Sequence, residues 1–243
     1  MFRFNCFSSI IKTCIIFSCL ISSRLAISEN LNNESFIKFK NQLNQRNLAA
    51  IEKYFEDDEK LKFENQFYKL IEEFPNAKWE IKNVRSTESD QYNFEITVKG
   101  FKLLNEKKFT LKSKFNFIFL FKNGTIKNSR IINNLTTIRN DNNKVEIDIS
   151  IPSNVLTGAN YNLDVIIKEP LGEKIIAGGI KEHQEGILFD KSVLIEPLSS
   201  GGIFKVTRAP LKPGLQVWTG FIAHPNGLIS FTKSVNIIEN YSN

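Results

Sequence analysis

Cysteine disappears from this sequence after Cys19: all three thiols, Cys6, Cys14 and Cys19, sit in one apolar N-terminal stretch. From Glu29 onward the chain has no disulfide to form, no thiolate nucleophile and no cysteine-type zinc site. Histidine is nearly as scarce. His183 and His224 are the only two, which removes the commonest general base and metal ligand from most of the chain. No polybasic block occurs either. Lysines alternate with Glu and Asp instead of lining up to track phosphates, so nucleic-acid binding is not expected. The formal charge is +6, but Arg3, Lys12 and Arg24 belong to the N-terminal segment, and without those three cations +3 remains. Long apolar runs are missing as well. Thr13 to Ser22 spans roughly ten residues, well short of the ~20 a membrane-crossing helix needs.

The N-terminal stretch has the form of a secretory signal peptide over residues 1–28, with a basic start, a short apolar middle and small residues at its end. Ala26-Ile27-Ser28 places the cut before Glu29, with a cut after Ser23 as the alternative. A rival reading takes Ile16-Phe17-Ser18-Cys19 as a loose lipobox acylated on Cys19, and the bulky Phe17 counts against it. The expected destination is therefore beyond the first membrane: periplasm, lumen or extracellular space. Lys, Asn, Ile and Phe are abundant, a bias that an AT-rich genome produces without selection for any partner. The Asn-x-Ser/Thr sequons at Asn33, Asn123, Asn134 and Asn240 follow from that bias.

Beyond the leader, the length suits two modules. From Glu34 to Phe74 the apolar spacing is helical. Phe36, Phe39 and Leu43 mark one stripe, and Phe63, Phe67, Leu70, Ile71 and Phe74 mark another, with a short helix from Leu48 to Phe55 between them. Asn47 and Asp57-Asp58 are suited to cap helix N-termini, and Pro75 ends the helical region. The period then becomes two. Trp79 and Ile81, then Tyr92, Phe94, Ile96 and Val98, point to one face, and the odd positions from Phe109 to Phe121 form a long, mostly aromatic row. Asn123-Gly124 predicts a two-residue hairpin turn leading into a strand from Thr125 to Ile138.

The segment Asn47-Leu-Ala-Ala-Ile-Glu-Lys-Tyr-Phe-Glu-Asp-Asp58, the helix after it, the strand pair and the Phe117-to-Ile126 hairpin resemble the nuclear transport factor two-like, or SnoaL-like, superfamily over residues 32–139. That resemblance implies a cone in which a curved sheet wraps helices around an apolar cavity. It also implies pairing through the sheets, and in some members isomerase, dehydratase or hydrolase activity. Enzymes of that kind place an Asp, His or Tyr in the cavity, whereas this stretch holds no histidine. Tyr54, Phe55, Tyr68, Trp79 and Tyr92 are the residues expected to line such a cavity and bind a small apolar ligand. Asp90, Glu88 and Glu95 read as exposed strand-face carboxylates.

Asn140-Asp-Asn-Asn143 reads as a linker, and the rest reads as strand. Val145 to Ile151 alternates, followed by strands at Tyr161–Ile167, Ile175–Lys181, Ser192–Pro197, Ile203–Thr207, Leu215–Ala223 and Leu228–Ile238. Seven short strands separated by turn signals predict a β-sandwich. Ala209 to Phe221, with the Pro225-Asn226-Gly227 turn after it, resembles the late strands of immunoglobulin-like or fibronectin-type modules, which implies a binding or spacing role. Trp218 reads as a buried anchor of that sandwich.

The expected architecture is thus an α+β domain at 29–139, with helices packed on a curved antiparallel sheet, then a linker at 140–143, an all-β sandwich at 144–239 and a tail at 240–243. Catalytic chemistry finds no foothold. His183 with Glu185 is one histidine without a second cluster and reads as a solvated loop. His224, at a hairpin entry before Pro225, reads as a surface or cap residue. Ser199-Ser-Gly-Gly202 lacks the pattern of a nucleophile elbow, and neither glycine pair opens a helix as a phosphate loop does. No metal, cofactor or catalytic residue is expected. The function expected is a non-enzymatic exported protein acting by protein association or self-association in the cell envelope, presenting an exposed apolar patch. A small-ligand binder and a cavity enzyme are the alternatives.

Overall fold

The computed structural model describes residues 33–84, 91–122, 125–140, 145–168, 175–183, 193–198 and 201–239. The expected leader with its cleavage sites and Cys19, the Asn123-Gly124 turn, linker residues 141–143 and the 240–243 tail lie outside them. The described residues form two compact units, one of 33–102 with 111–134, the other of 103–110 with 135–239.

The helical period resolves into α1 (Asn33–Gln45), α2 (Leu48–Ile51), a 3-10 turn at Glu52–Tyr54 and α3 (Asp57–Glu73). Asn47 caps α2, its side-chain oxygen accepting from the Ala50 N–H at 3.2 Å. The Asp57-Asp58 cap is corrected. α3 begins at Asp57 itself, with Glu56 in the N-cap position and no side-chain cap bond. The apolar stripes bury Phe39, Leu43, Phe63, Phe67, Leu70 and Phe74.

Four strands follow: β1 (Lys78–Val84), β2 (Gln91–Leu104), β3 (Lys107–Lys122) and β4 (Thr125–Asn140). The period-two rows are buried as their parity demands, with Trp79 and Ile81 on β1, Phe94, Ile96 and Val98 on β2, and Phe109 to Phe119 on β3. β2 turns into β3 through Asn105 and Glu106, both at positive φ, 48° and 63°, the backbone of a type I′ hairpin turn. The free edge of β1 is closed by a side chain. Asn44 on α1 donates from Nδ2 to the Trp79 carbonyl at 2.9 Å and accepts the Trp79 N–H on Oδ1 at 3.0 Å, as a neighbouring strand would.

The later strands are β5 (Ile147–Ser150), β6 (Asn154–Leu156), β7 (Asn160–Ile167), β8 (Ala177–His183), β9 (Glu196–Pro197), β10 (Gly202–Arg208), β11 (Gly214–His224) and β12 (Gly227–Ile238). One sheet has the order β1-β2-β3-β4-β12-β11-β8-β9, with β6 pairing parallel to β12, nine strands in all, and a three-stranded sheet has the order β10-β7-β5. In the second unit the two sheets share one core. It contains Tyr161, Leu163 and Val165 from β7, Ile203 from β10, Trp218 and Ile222 from β11, and Ile229, Phe231, Val235 and Ile237 from β12.

This architecture overturns the expected α+β domain followed by a separate all-β sandwich. The protein is mostly β, its helices are few and short, and its early strands belong to the same large antiparallel sheet as its late ones. Lengths explain the error. α3, at 17 residues, reaches only ~25 Å at the helical rise, whereas β3, at 16 residues, reaches ~50 Å. One such helix spans only about half the length of such a strand. Alternation also says which side of a strand is buried, but not which strands share its sheet. β4 continues as strand through Asn140, the first residue of the expected linker.

Candidate functional site

The five residues expected to line a cavity are placed differently from one another. Phe55 stacks on Phe63 with ring centroids 4.4 Å apart, and Tyr54 meets Phe39 edge-on at 5.0 Å. Phe63 continues to Phe67, and Phe67 to Trp79 at 5.3 Å. Phe39 also meets Phe55 edge-on at 6.1 Å, so Tyr54, Phe55 and Trp79 are joined in one aromatic run. Tyr92 instead stacks on Phe94, and Tyr68 is exposed on α3.

Polar chemistry concentrates in the second unit. The Trp218 indole N–H donates to the Tyr161 hydroxyl at 2.8 Å, Tyr161 donates to Gln216 Oε1 at 2.5 Å, and Gln216 Nε2 donates to Glu182 Oε1 at 2.8 Å. This chain ties β7 to β11 and β8, and the Lys205 ammonium lies 5.5 Å over the Trp218 ring. Burial pushes the Tyr161 phenol up to about 12, against the Trp218 hydrogen bond, which favours the phenolate. Each donor meets an acceptor, so the group acts as a pin between the two sheets.

Lys233 breaks the apolar parity of β12, sharing it with Phe231 and Val235. It is only 5% exposed, and its ammonium donates to Ser153 Oγ at 3.1 Å. Burial lowers its pKa to about 8. The other face of β12 carries Ser230, Thr232 and Ser234, and Thr219 is the cross-strand partner of Thr232. These four hydroxyls are buried without a hydrogen-bond partner among the described residues.

The outer face of the three-stranded sheet is one apolar surface of this unit, which also exposes Ile175, Leu194 and Leu211 elsewhere. Phe204 and Val206 on β10 are 55% and 68% exposed, with Ile166 of β7 on the same face. Asp164 lies opposite Phe204, and Asp148 of β5 lies opposite Ile166. Among the described residues β10 is an edge strand, and Lys205, between Phe204 and Val206, is exposed on the other side of the pleat.

The remaining candidates resolve simply. His224 is buried at the end of β11, and its Nδ1 accepts the Asn226 N–H at 3.1 Å, as a hairpin cap does. His183 ends β8, and Glu185 lies outside the described residues. Sequence reasoning passed over Tyr161, Gln216, Lys205 and Lys233. A lysine on the apolar parity of Ile229, Phe231, Val235 and Ile237 was the one readable signal among them.

A family model described as a domain of unknown function (DUF8623) matches residues 142–238, a stretch within the second unit. No curated protein matches the chain.

Proposed function

We propose that this chain is an exported, non-enzymatic association protein, and that the edge and outer face of the β10-β7-β5 sheet receive a strand from another polypeptide. The observation that carries this is the exposed apolar face formed by Phe204 and Val206 on the edge strand β10 with Ile166 of β7 beside them. An open strand edge offers main-chain hydrogen bonds, and alternate side chains supply selectivity. Lys205 argues for a foreign strand over a second copy. Antiparallel self-pairing about the middle of β10 would set two lysines opposite each other, which is unfavourable. A strand with an acidic residue opposite Lys205 and apolar residues opposite Phe204 and Val206 answers both.

The test is titration of the full chain with a short synthetic peptide alternating valine and glutamate. Wild-type protein should bind it, weakening as salt rises. A Phe204→Asp/Val206→Asp variant of unchanged thermal stability should lose at least about tenfold, ~1.4 kcal/mol, in affinity. Equal binding of a valine–lysine peptide, or unchanged binding by the variant, would sink the proposal.

A further inference from the structure

The Ser153–Lys233 pair stands apart from the association surface. Ser153 follows Pro152 at the bend before β6, and its carbonyl accepts the Asn236 N–H of β12 at 2.8 Å. That bond holds the bend beside β12, with the Ser153 side chain 3.1 Å from the Lys233 amine. Ser153 is partly exposed, whereas Lys233 behind it is buried. The pair therefore sits where a half-buried bend meets the core, with Ser153 on the solvent side of the buried Lys233. The strands on both sides of Lys233 set large apolar residues beside it. Its cross-strand neighbours are Leu135 on β4 and Trp218 on β11. Charge enters from Glu182, opposite Trp218 on β8, and from Lys205 over the Trp218 ring. A lysine on a core parity position carries a desolvation cost that an apolar residue would avoid, so its placement calls for a reason.

We propose that Ser153 is an acyl-acceptor site, with Lys233 as the base that activates it. In the step, the neutral Lys233 amine takes the Ser153 hydroxyl proton as Ser153 Oγ attacks the carbonyl carbon of an activated ester. The tetrahedral adduct collapses, the bond from carbonyl carbon to leaving oxygen breaks, and the leaving alkoxide or phenolate takes the proton back from the Lys233 ammonium. The products are a Ser153 ester and a free alcohol or phenol. Serine–lysine pairs support this chemistry when the amine can reach its neutral form near neutral pH, and burial moves Lys233 toward that condition.

The test uses the full chain with p-nitrophenyl acetate as the acyl donor, mapped by peptide mass spectrometry from pH 6 to pH 10. One acetyl should appear on Ser153, its rate rising through pH ~8 as the amine loses its proton. Lys233→Arg, which keeps the charge but does not deprotonate, should slow labelling at Ser153 by at least about tenfold, and Ser153→Ala should remove that label. Acetylation of Lys233 itself, or of surface lysines with Ser153 unmodified, would overturn the proposal. Equal Ser153 labelling in Lys233→Arg would overturn it too. Should Lys233→Arg fail to fold, the wild-type pH profile at Ser153 decides: a flat profile overturns the proposal, and a rise through pH ~8 upholds it.

Discussion

Single side chains on β12 carry stability costs on both of its faces. The Thr232 hydroxyl is buried without a partner among the described residues. Such a group forfeits its water hydrogen bonds for nothing in return, a cost of about 1–3 kcal/mol, and an apolar replacement of the same shape removes that cost. Thr232→Val should therefore raise the unfolding free energy by ~1 kcal/mol in urea denaturation; a loss of stability would mean that the hydroxyl is satisfied. Lys233 on the other face makes stability depend on pH. Its amine titrates near 10.5 when unfolded and about 8 in the fold, so between those values the unfolded chain holds more protons and stability climbs as pH rises. Tyr161 works in the reverse sense. Its phenol moves from 10.0 to about 12, so above pH 10 the folded state holds more protons and stability falls. The unfolding free energy measured across pH should thus peak near pH ~10. Lys233→Met should remove the rise and stabilise the neutral-pH protein by on the order of 2–3 kcal/mol.

At the scale of elements, strand alternation was legible wherever one face is apolar. On β2 the row is buried from Phe94 to Val98 with Tyr92 half-buried, on β3 it is buried from Phe109 to Phe119, and Asn47 caps α2 as its short side chain suggested. What escaped was chemistry set by a neighbouring element. Asn44 reads as an ordinary polar helix residue, yet it closes the edge of β1. Gly220 lies inside a strand pattern because its neighbour leaves no room. A Cβ there would sit 2.1 Å from the Phe231 ring across the β11–β12 pair. Gly220→Ala should cost at least about 2 kcal/mol by overpacking. Adding Phe231→Leu should return part of that loss, a non-additive pair measurable as a double-mutant cycle in urea.

For the whole molecule, the decisive strand is β4. Its last residues pair with β12, Leu135 with Lys233 through Arg139 with Ile229, and they fall in the second unit, ahead of the expected linker. The Arg139 guanidinium also donates to the Val145 carbonyl at 3.1 Å, holding the end of β4 to the chain entering β5. A fragment starting at Leu135 should fold cooperatively. One starting at Val145 should unfold at lower urea and aggregate more, because the edge of β12 from Ile229 to Lys233 is left open. Equal stability of the two fragments would show that this strand adds nothing to the unit.

The sequence by itself determined local matters: the lack of thiols after Cys19, the helical stripes before Pro75, the inward parity of β1, β2 and β3 and the Asn47 cap. These follow from side-chain volume, backbone geometry and polarity within a few residues, which is the range over which periodicity acts. Only the tertiary structure decided that β4 passes from one unit into the other, that Tyr161 meets Gln216 across 55 residues and that Ser153 meets Lys233 across 80. It also left Phe204 and Val206 uncovered while Ile203 beside them is buried. Such pairings depend on which strands share a sheet and which face another. That choice is made by loop closure and packing over the whole chain, where a short window of sequence carries no information.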